Sequence, residues 1–191
     1  MSKNTVLEPA FCGAALKVGT YLKHRVSAPT KLQKSCFDSA HVPEIRLENY
    51  VLRIQRFGCL DGTTLVVALV YAEAVCAAEK ICLSRKNVHR LFLACCVVAS
   101  KWVQDVLYDN ARMARVGGIH LTELNSLEVC VLKTLQWATA VRKKDIAVKQ
   151  RDVDADWAKF RSGCRFAEDH HAALLHAHAR ARARAPHRTF P

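Results

Sequence analysis

The sequence predicts an all-α fold, a single bundle of five helices around a buried central one, with flexible basic tails at either end. Three observations predict it. Residues 91–99 carry no polar side chain on any side, so a helix there is apolar all round and has to be wrapped by others. Leu47, Tyr50, Val51, Ile54 and Phe57, and further on Leu124, Leu127, Val131, Leu132 and Leu135, recur at helical spacing and form one-sided stripes suited to packing against such a core. Finally, 51% of the 191 residues are apolar, enough for one sizeable domain.

In chain order, residues 1–40 read as an N-terminal extension whose weak periodicity permits a short helix over 10–22 without demanding it. From Pro43 the pattern sharpens into the first amphipathic helix, with proline at its opening turn and Gly58 as a stop able to take positive φ. Asp61 and the threonines after it offer caps for a largely apolar helix over 64–79. Ser84 or Asn87 then caps the central helix, whose flanks His89, Arg90, Lys101 and Asp105 are its first polar contacts. The run Tyr108-Asp109-Asn110 reads as a break, 111–116 as a short helix, and Gly117-Gly118 as a sharp turn. Thr122 can cap the last strong helix, 123–137. A charged C-terminal extension over 142–191 holds one weak helix near 154–172 and a low-complexity basic tail.

Within the stripe of that last strong helix sits Glu128, four residues from Leu124 and from Leu132 and three from Val131. A carboxylate among leucines costs several kcal/mol unless it is paired, so it is expected to be kept for a partner. The alternative is an edge position that reaches water.

The formal charge of +12 is unevenly spread: six basic and two acidic residues in 1–40, eleven and nine in 41–141, twelve and six in 142–191. A nucleic-acid surface built into the folded part would concentrate charge there, so such binding is expected only weakly and through the tails. The nine cysteines are odd in number and form no CxxC pair; several lie in apolar runs, the pattern of free buried thiols. No apolar segment of signal-peptide type follows the N-terminus, and the 65–78 run, interrupted by Glu73, is short for a membrane span. The expectation is a reducing location, cytoplasm or nucleus, with no membrane association.

The sequence resembles a cyclin box over 41–141. The residues that carry the resemblance are Pro43-x-Ile45 with Tyr50-x-x-Arg53-Ile54, Asn87-Val88-His89-Arg90-Leu91, Ala99-Ser100-Lys101-Trp102 with Asp105, Gly117-Gly118-Ile119, Glu123-Leu124-Asn125-x-x-Glu128, and Trp137. It is most similar to the P/U type, the single-box group of fungal phosphate signalling, plants and some protists. The resemblance implies a non-catalytic subunit that activates a cyclin-dependent serine/threonine kinase, in cell-cycle or nutrient signalling, with no cofactor. It also implies that Lys101 and Glu128 face the kinase together and hold its regulatory helix, and that Asp105 approaches the kinase near its activation segment. Physical chemistry agrees: a kinase is active only when its strand lysine pairs with a glutamate on that helix, and a partner that binds only the inward helix shifts the population towards activity.

Three departures from the family pattern stand out. Tyr71 is followed by Ala72-Glu73-Ala74 with no arginine, so the internal ion pair of the family is not expected there. Ile45-Arg46-Leu47-Glu48-Asn49 places polar residues in the apolar motif by which many cell-cycle cyclins recruit substrates. No second box follows Trp137. Of other chemistries, His170, His171, His176 and His178 with Cys164 lack zinc-module spacing, and His89 beside Arg90 reads as a helix-start contact or a satisfied core histidine rather than a catalytic base. With no phosphate loop or nucleophile motif, an enzyme is not expected. The alternative from another class is a transcription-factor-like use of the same box, binding DNA or polymerase machinery. It calls for lysines and arginines aligned on the box, whereas kinase binding calls for a lysine and a glutamate at an apolar face.

Overall fold

A computed structural model describes residues 9–27, 34–106 and 108–163. They form seven helices: α1 (Pro9–Arg25), α2 (Leu47–Gly58), α3 (Gly62–Glu79), α4 (Val88–Val103), α5 (Asn110–Gly117), α6 (Leu121–Thr134) and α7 (Lys143–Gly163), with no strand among the described residues. Five of them, α2 to α6, are the five the sequence predicts. As its uninterrupted apolar run requires, α4 is central: every residue from 91 to 100 is buried, against α2, α3, α5 and α6. Neighbouring α3 is long and apolar enough to cross a membrane by length and composition, and half of it is buried in the bundle. Cys36, Cys59, Cys76, Cys82, Cys95, Cys96 and Cys130 are free, with Cys95 and Cys96 wholly buried in α4.

Local chemistry sets the helix ends. Asp61 accepts from the Thr64 N–H at 2.6 Å and Asp109 from the Arg112 N–H at 2.7 Å, which satisfies donors that the first turns of α3 and α5 leave open. Asn87 precedes α4 but does not cap it with its side chain. Its amide instead accepts from the Ser84 N–H and donates to the Cys82 carbonyl, which ties down the loop leading into the core. Positive φ at the end of α2 falls on Cys59 (52°), not on Gly58. Gly58 remains helical and is buried under Met113, where a side chain would crowd its sulfur. Phe57, expected on the core stripe, is exposed, because ten residues of helix turn it about 80° away from Leu47. In α6, His120 and not Thr122 occupies the cap position, and the helix stops at Thr134, ahead of Gln136 and Trp137 with positive φ.

Two helices outside the predicted five are built into the same core. Placed by sequence in the extension, α1 contributes Ala15, Val18, Tyr21 and Leu22 to the core and lies on α2. It approaches so closely at Gly19 that a Cβ there would stand 2.7 Å from the Glu48 Cα. The other, α7, begins at Lys143, eleven residues before the expected 154, and packs on α1 and α3. Only Val153 of its apolar residues is fully buried, and polar anchors do much of the rest: Lys149 reaches Glu73 at 2.6 Å and the Tyr21 hydroxyl at 3.1 Å, while Lys17 reaches Asp154 at 2.6 Å. Burial works against the Lys149 charge, but its bonds to Glu73 and Tyr21 outweigh that and raise its pKa. Glu73, with no arginine next to it in sequence, thus finds an internal cation from α7. The histidines at 170–178 with Cys164, and the low-complexity tail, lie outside the described residues.

The turn after α5 depends on close approach. A Cβ on Gly117 would collide with Cδ2 of the buried Leu93 in α4, so α5 reaches the core only because position 117 has no side chain. Gly117→Ala is expected to cost about 1–3 kcal/mol by overpacking. Gly118→Ala, with open space around it but a φ of 71°, is expected to cost about 1–2 kcal/mol from backbone strain alone. Urea denaturation of each variant, with and without Leu93→Ala, separates the two causes: only the Gly117 variant should couple to Leu93. Additive effects at both positions would contradict the packing account.

Candidate partner-binding site

The polar residues that end the buried helix set up the site. Near the N-terminus of α4, the buried His89 Nε2 meets the Ile45 carbonyl at 3.2 Å and its ring stands edge-on to Tyr50 at 4.9 Å. Burial, with Arg90 beside it, lowers the His89 pKa against the opposing bond to Ile45; Nε2 is partnered by that carbonyl, while Nδ1 is buried without a hydrogen-bond partner, so only one side of the ring is satisfied. Arg90 is bonded to Glu123 and so joins the start of α4 to the start of α6. Tyr50 donates its hydroxyl to the Gly117 carbonyl and Arg53 a guanidinium N–H to the Arg115 carbonyl, both at 3.2 Å, which fastens α2 to the last turn of α5. Pro43 is half-buried in the segment leading to α2. Most of the motif residues named from sequence, then, hold α5 and α6 in place.

At the other end, Ser100 is still buried and donates back to the Val97 carbonyl, and the next residue, Lys101, is where α4 reaches the surface. Its ammonium meets Glu128 Oε1 at 2.6 Å. The Glu128 side chain is 10% exposed and that of Lys101 41%, so the carboxylate is sunk in the wall while the cation stands at its rim. The two residues singled out from sequence are brought together, and the edge-position alternative for Glu128 is set aside by its burial. The carboxylate is not unpaired in the free chain, however: its second oxygen accepts from the Asn110 side-chain amide at 2.6 Å. The same amide nitrogen donates to Asn125 Oδ1 at 2.8 Å. Trp102 and Val106, 52% and 73% exposed, supply apolar surface beyond Lys101.

Asp105 is exposed and makes no hydrogen bond or ion pair among the described residues. It lines an open depression of about 330 Å³ with Cys59, Asp61, Gln104 and Tyr108, and is not part of the Lys101–Glu128 cluster. Sequence reasoning missed Asn110. The run in which it sits reads only as a break, and the nearest available signal is a second asparagine, Asn125, on the face of α6 that carries Glu128. No metal-holding group of three or more ligands occurs among the described residues.

The sequence model of the Cyclin family matches residues 16–139. The chain is similar to Cyclin-U2-1 of Arabidopsis thaliana, 36% identical over 94 residues, which are 49% of this chain and 42% of that protein. It is similar to Cyclin-P1-1 of Oryza sativa subsp. japonica, 38% identical over 99 residues, 51% of this chain and 38% of that one. It is also similar to the PHO85 cyclin-like protein psl1 of Schizosaccharomyces pombe, 34% identical over 106 residues, 53% of this chain and 44% of that one. The matched part thus spans less than half the length of each of these relatives.

Two stability effects follow from the geometry. Lys101→Ala leaves a nearly buried carboxylate with Asn110 alone and should cost about 1–3 kcal/mol. Glu128→Leu leaves behind a cation that water can reach and adds apolar volume to an apolar stripe, so its effect should stay within about 1 kcal/mol. Chemical denaturation that ranks the two variants the other way would show that the carboxylate is better solvated than its burial implies.

The second effect is a pH dependence. With its folded pKa below the ordinary 6.5, His89 stays neutral in the folded chain where the unfolded chain already takes up a proton. The stability it contributes is complete above about pH 6.5 and is lost as pH falls through that value, with a slope of at most about 1.4 kcal/mol per pH unit. His89→Gln should flatten this part of the stability profile between pH 7.5 and 5. Equal slopes in wild type and variant would show that the ring protonates freely in place.

Proposed function

The chain belongs to the cyclin family, and from that premise we propose that it is the regulatory, activating subunit of a cyclin-dependent protein kinase, with no catalysis of its own. The observation that carries this reading is the Lys101–Glu128 pair at the mouth of an otherwise apolar core. Lys101 keeps ammonium hydrogens free for a partner while Glu128 is held by two internal bonds, and exposed Trp102 and Val106 stand beyond them. A kinase regulatory helix that lodges here is held inward, the position in which its glutamate pairs with the strand lysine, and the kinase population shifts towards the active state. Asp105, four residues beyond Lys101 and exposed, is proposed to approach the kinase near its activation segment.

The relatives support the class of partner. Two of the fungal ones are named as cyclins of PHO85 or as similar to them, and the plant ones as P- and U-type cyclins. The DNA-binding alternative gains no support from these relatives or from the near balance of charge over 41–141. We place the protein in the cytoplasm or nucleus, where free thiols such as those of the described cysteines persist.

The test uses Lys101→Ala combined with Glu128→Leu, which removes both charges and leaves neither orphaned, so that the chain keeps its fold. Affinity for the PHO85 kinase of Saccharomyces cerevisiae should fall by about 2–5 kcal/mol, tens- to thousands-fold, with loss of kinase activation. Asp105→Ala, at an exposed position, should cost less than about 1 kcal/mol. Normal activation by the folded double variant would refute the reading.

A further inference from the structure

Around Glu128, one bond sets its direction and is made by neither a charge nor a residue that the sequence marks out. Carboxylates only accept hydrogen bonds, so the Asn110 amide must turn its nitrogen towards Glu128. Both N–H groups of that nitrogen are then used, one on Glu128 Oε2 at 2.6 Å and one on Asn125 Oδ1 at 2.8 Å. The Asn110 oxygen, turned away, is buried with no hydrogen-bond partner. A buried, unpartnered carbonyl oxygen is costly, and the chain carries that cost in the orientation that serves Glu128. Lys101 cannot give the same control: its ammonium is at the end of a long, half-exposed stem and holds only one of the two carboxylate oxygens.

We infer that Asn110 is the positioning residue of the partner-binding site: from the first turn of α5 it fixes the rotation of the Glu128 carboxylate and holds the Asn125 oxygen inward, so that Lys101, Glu128 and the free amide end of Asn125 meet the partner as one preset group. This inference rests on the proposed kinase-binding reading and deepens it. Its physical basis is preorganisation: a carboxylate already aimed and already desolvated loses little freedom when the partner arrives. The fold explains how a single asparagine reaches both groups. Asp109 caps α5 and thereby fixes where its first residue begins, while Arg53 and Tyr50 fasten the other end of the same helix.

The experiment is a double-mutant cycle on the full chain, with immobilised PHO85 kinase of Saccharomyces cerevisiae as the probe and a thermal melt of each variant alongside. Asn110→Ala should stay folded and bind roughly tenfold more weakly. In a Glu128→Gln background, where there is no longer a carboxylate to aim, the same substitution should change affinity less than about twofold. A merely structural role for Asn110 would lower affinity by the same factor in both backgrounds, and that additive outcome overturns the inference, as does wild-type affinity in Asn110→Ala. Asn110→Ser, which keeps one donor, carries the same comparison if the alanine variant melts below the assay temperature, with an intermediate loss expected in the Glu128 background and none in the Gln one. Failure of the underlying reading has a different signature: the unmodified chain itself does not bind the kinase.

Discussion

Everything in this chain follows from the requirement to hide α4 on all sides. A helix with ten consecutive buried residues, 91 to 100, can expose nothing along its length, so its neighbours must close around it and only its two ends can meet water. Two consequences can be traced to particular residues. Helices that crowd it must come close, and α5 does so at a glycine that leaves room for Leu93. And every group with chemistry to offer is pushed to the ends: His89 and Arg90 at one, Lys101 at the other.

Polar groups at the ends of a buried helix are costly unless partnered, and the partners they take decide where the surrounding helices sit. Arg90 takes Glu123 and so sets the start of α6; Lys101 takes Glu128 and sets its middle. Two ion pairs from one rigid rod, eleven residues apart on it, fix the slide and the roll of α6 together. The same residues that position α6 therefore also aim the carboxylate on which the proposed function rests, so stability and that function would draw on the same bonds.

The sequence made the five central helices legible because each is written in 3.6-residue periodicity, which survives without knowledge of any partner. Glu128 was legible for the opposite reason, as a violation of that periodicity. Its bond to Asn110 was not, since nothing local ties a helix-start asparagine to a residue eighteen positions on. The flanking helices hide for another reason. In α1, the core residues Ala15, Val18, Tyr21 and Leu22 stand among Gly13, Lys17, Gly19 and Lys23, which leaves a faint stripe; in α7, Lys149 and Asp154 dock through charge, so composition alone reads as a solvated face. Glu73 shows the limit of family pattern as well. The arginine missing next to it in sequence is replaced by a lysine seventy-six residues later, and only the fold brings that lysine near.

In the proposed complex, the asymmetry of the Lys101–Glu128 pair would set how it acts on the kinase. The carboxylate has already lost most of its water in the free chain and is compensated by Lys101 and Asn110, so covering it adds little further desolvation. The ammonium has not, and nearly all the electrostatic cost of closing the interface falls on it. Salt screens an exposed charge but hardly touches a buried one, so added salt acts on the approach of the partner through Lys101. On the same proposed reading Glu128, sunk and aimed, would act on how long the partner stays. If the proposed complex forms, a cation at the rim and a carboxylate in the wall would divide association from dissociation between two residues in direct contact.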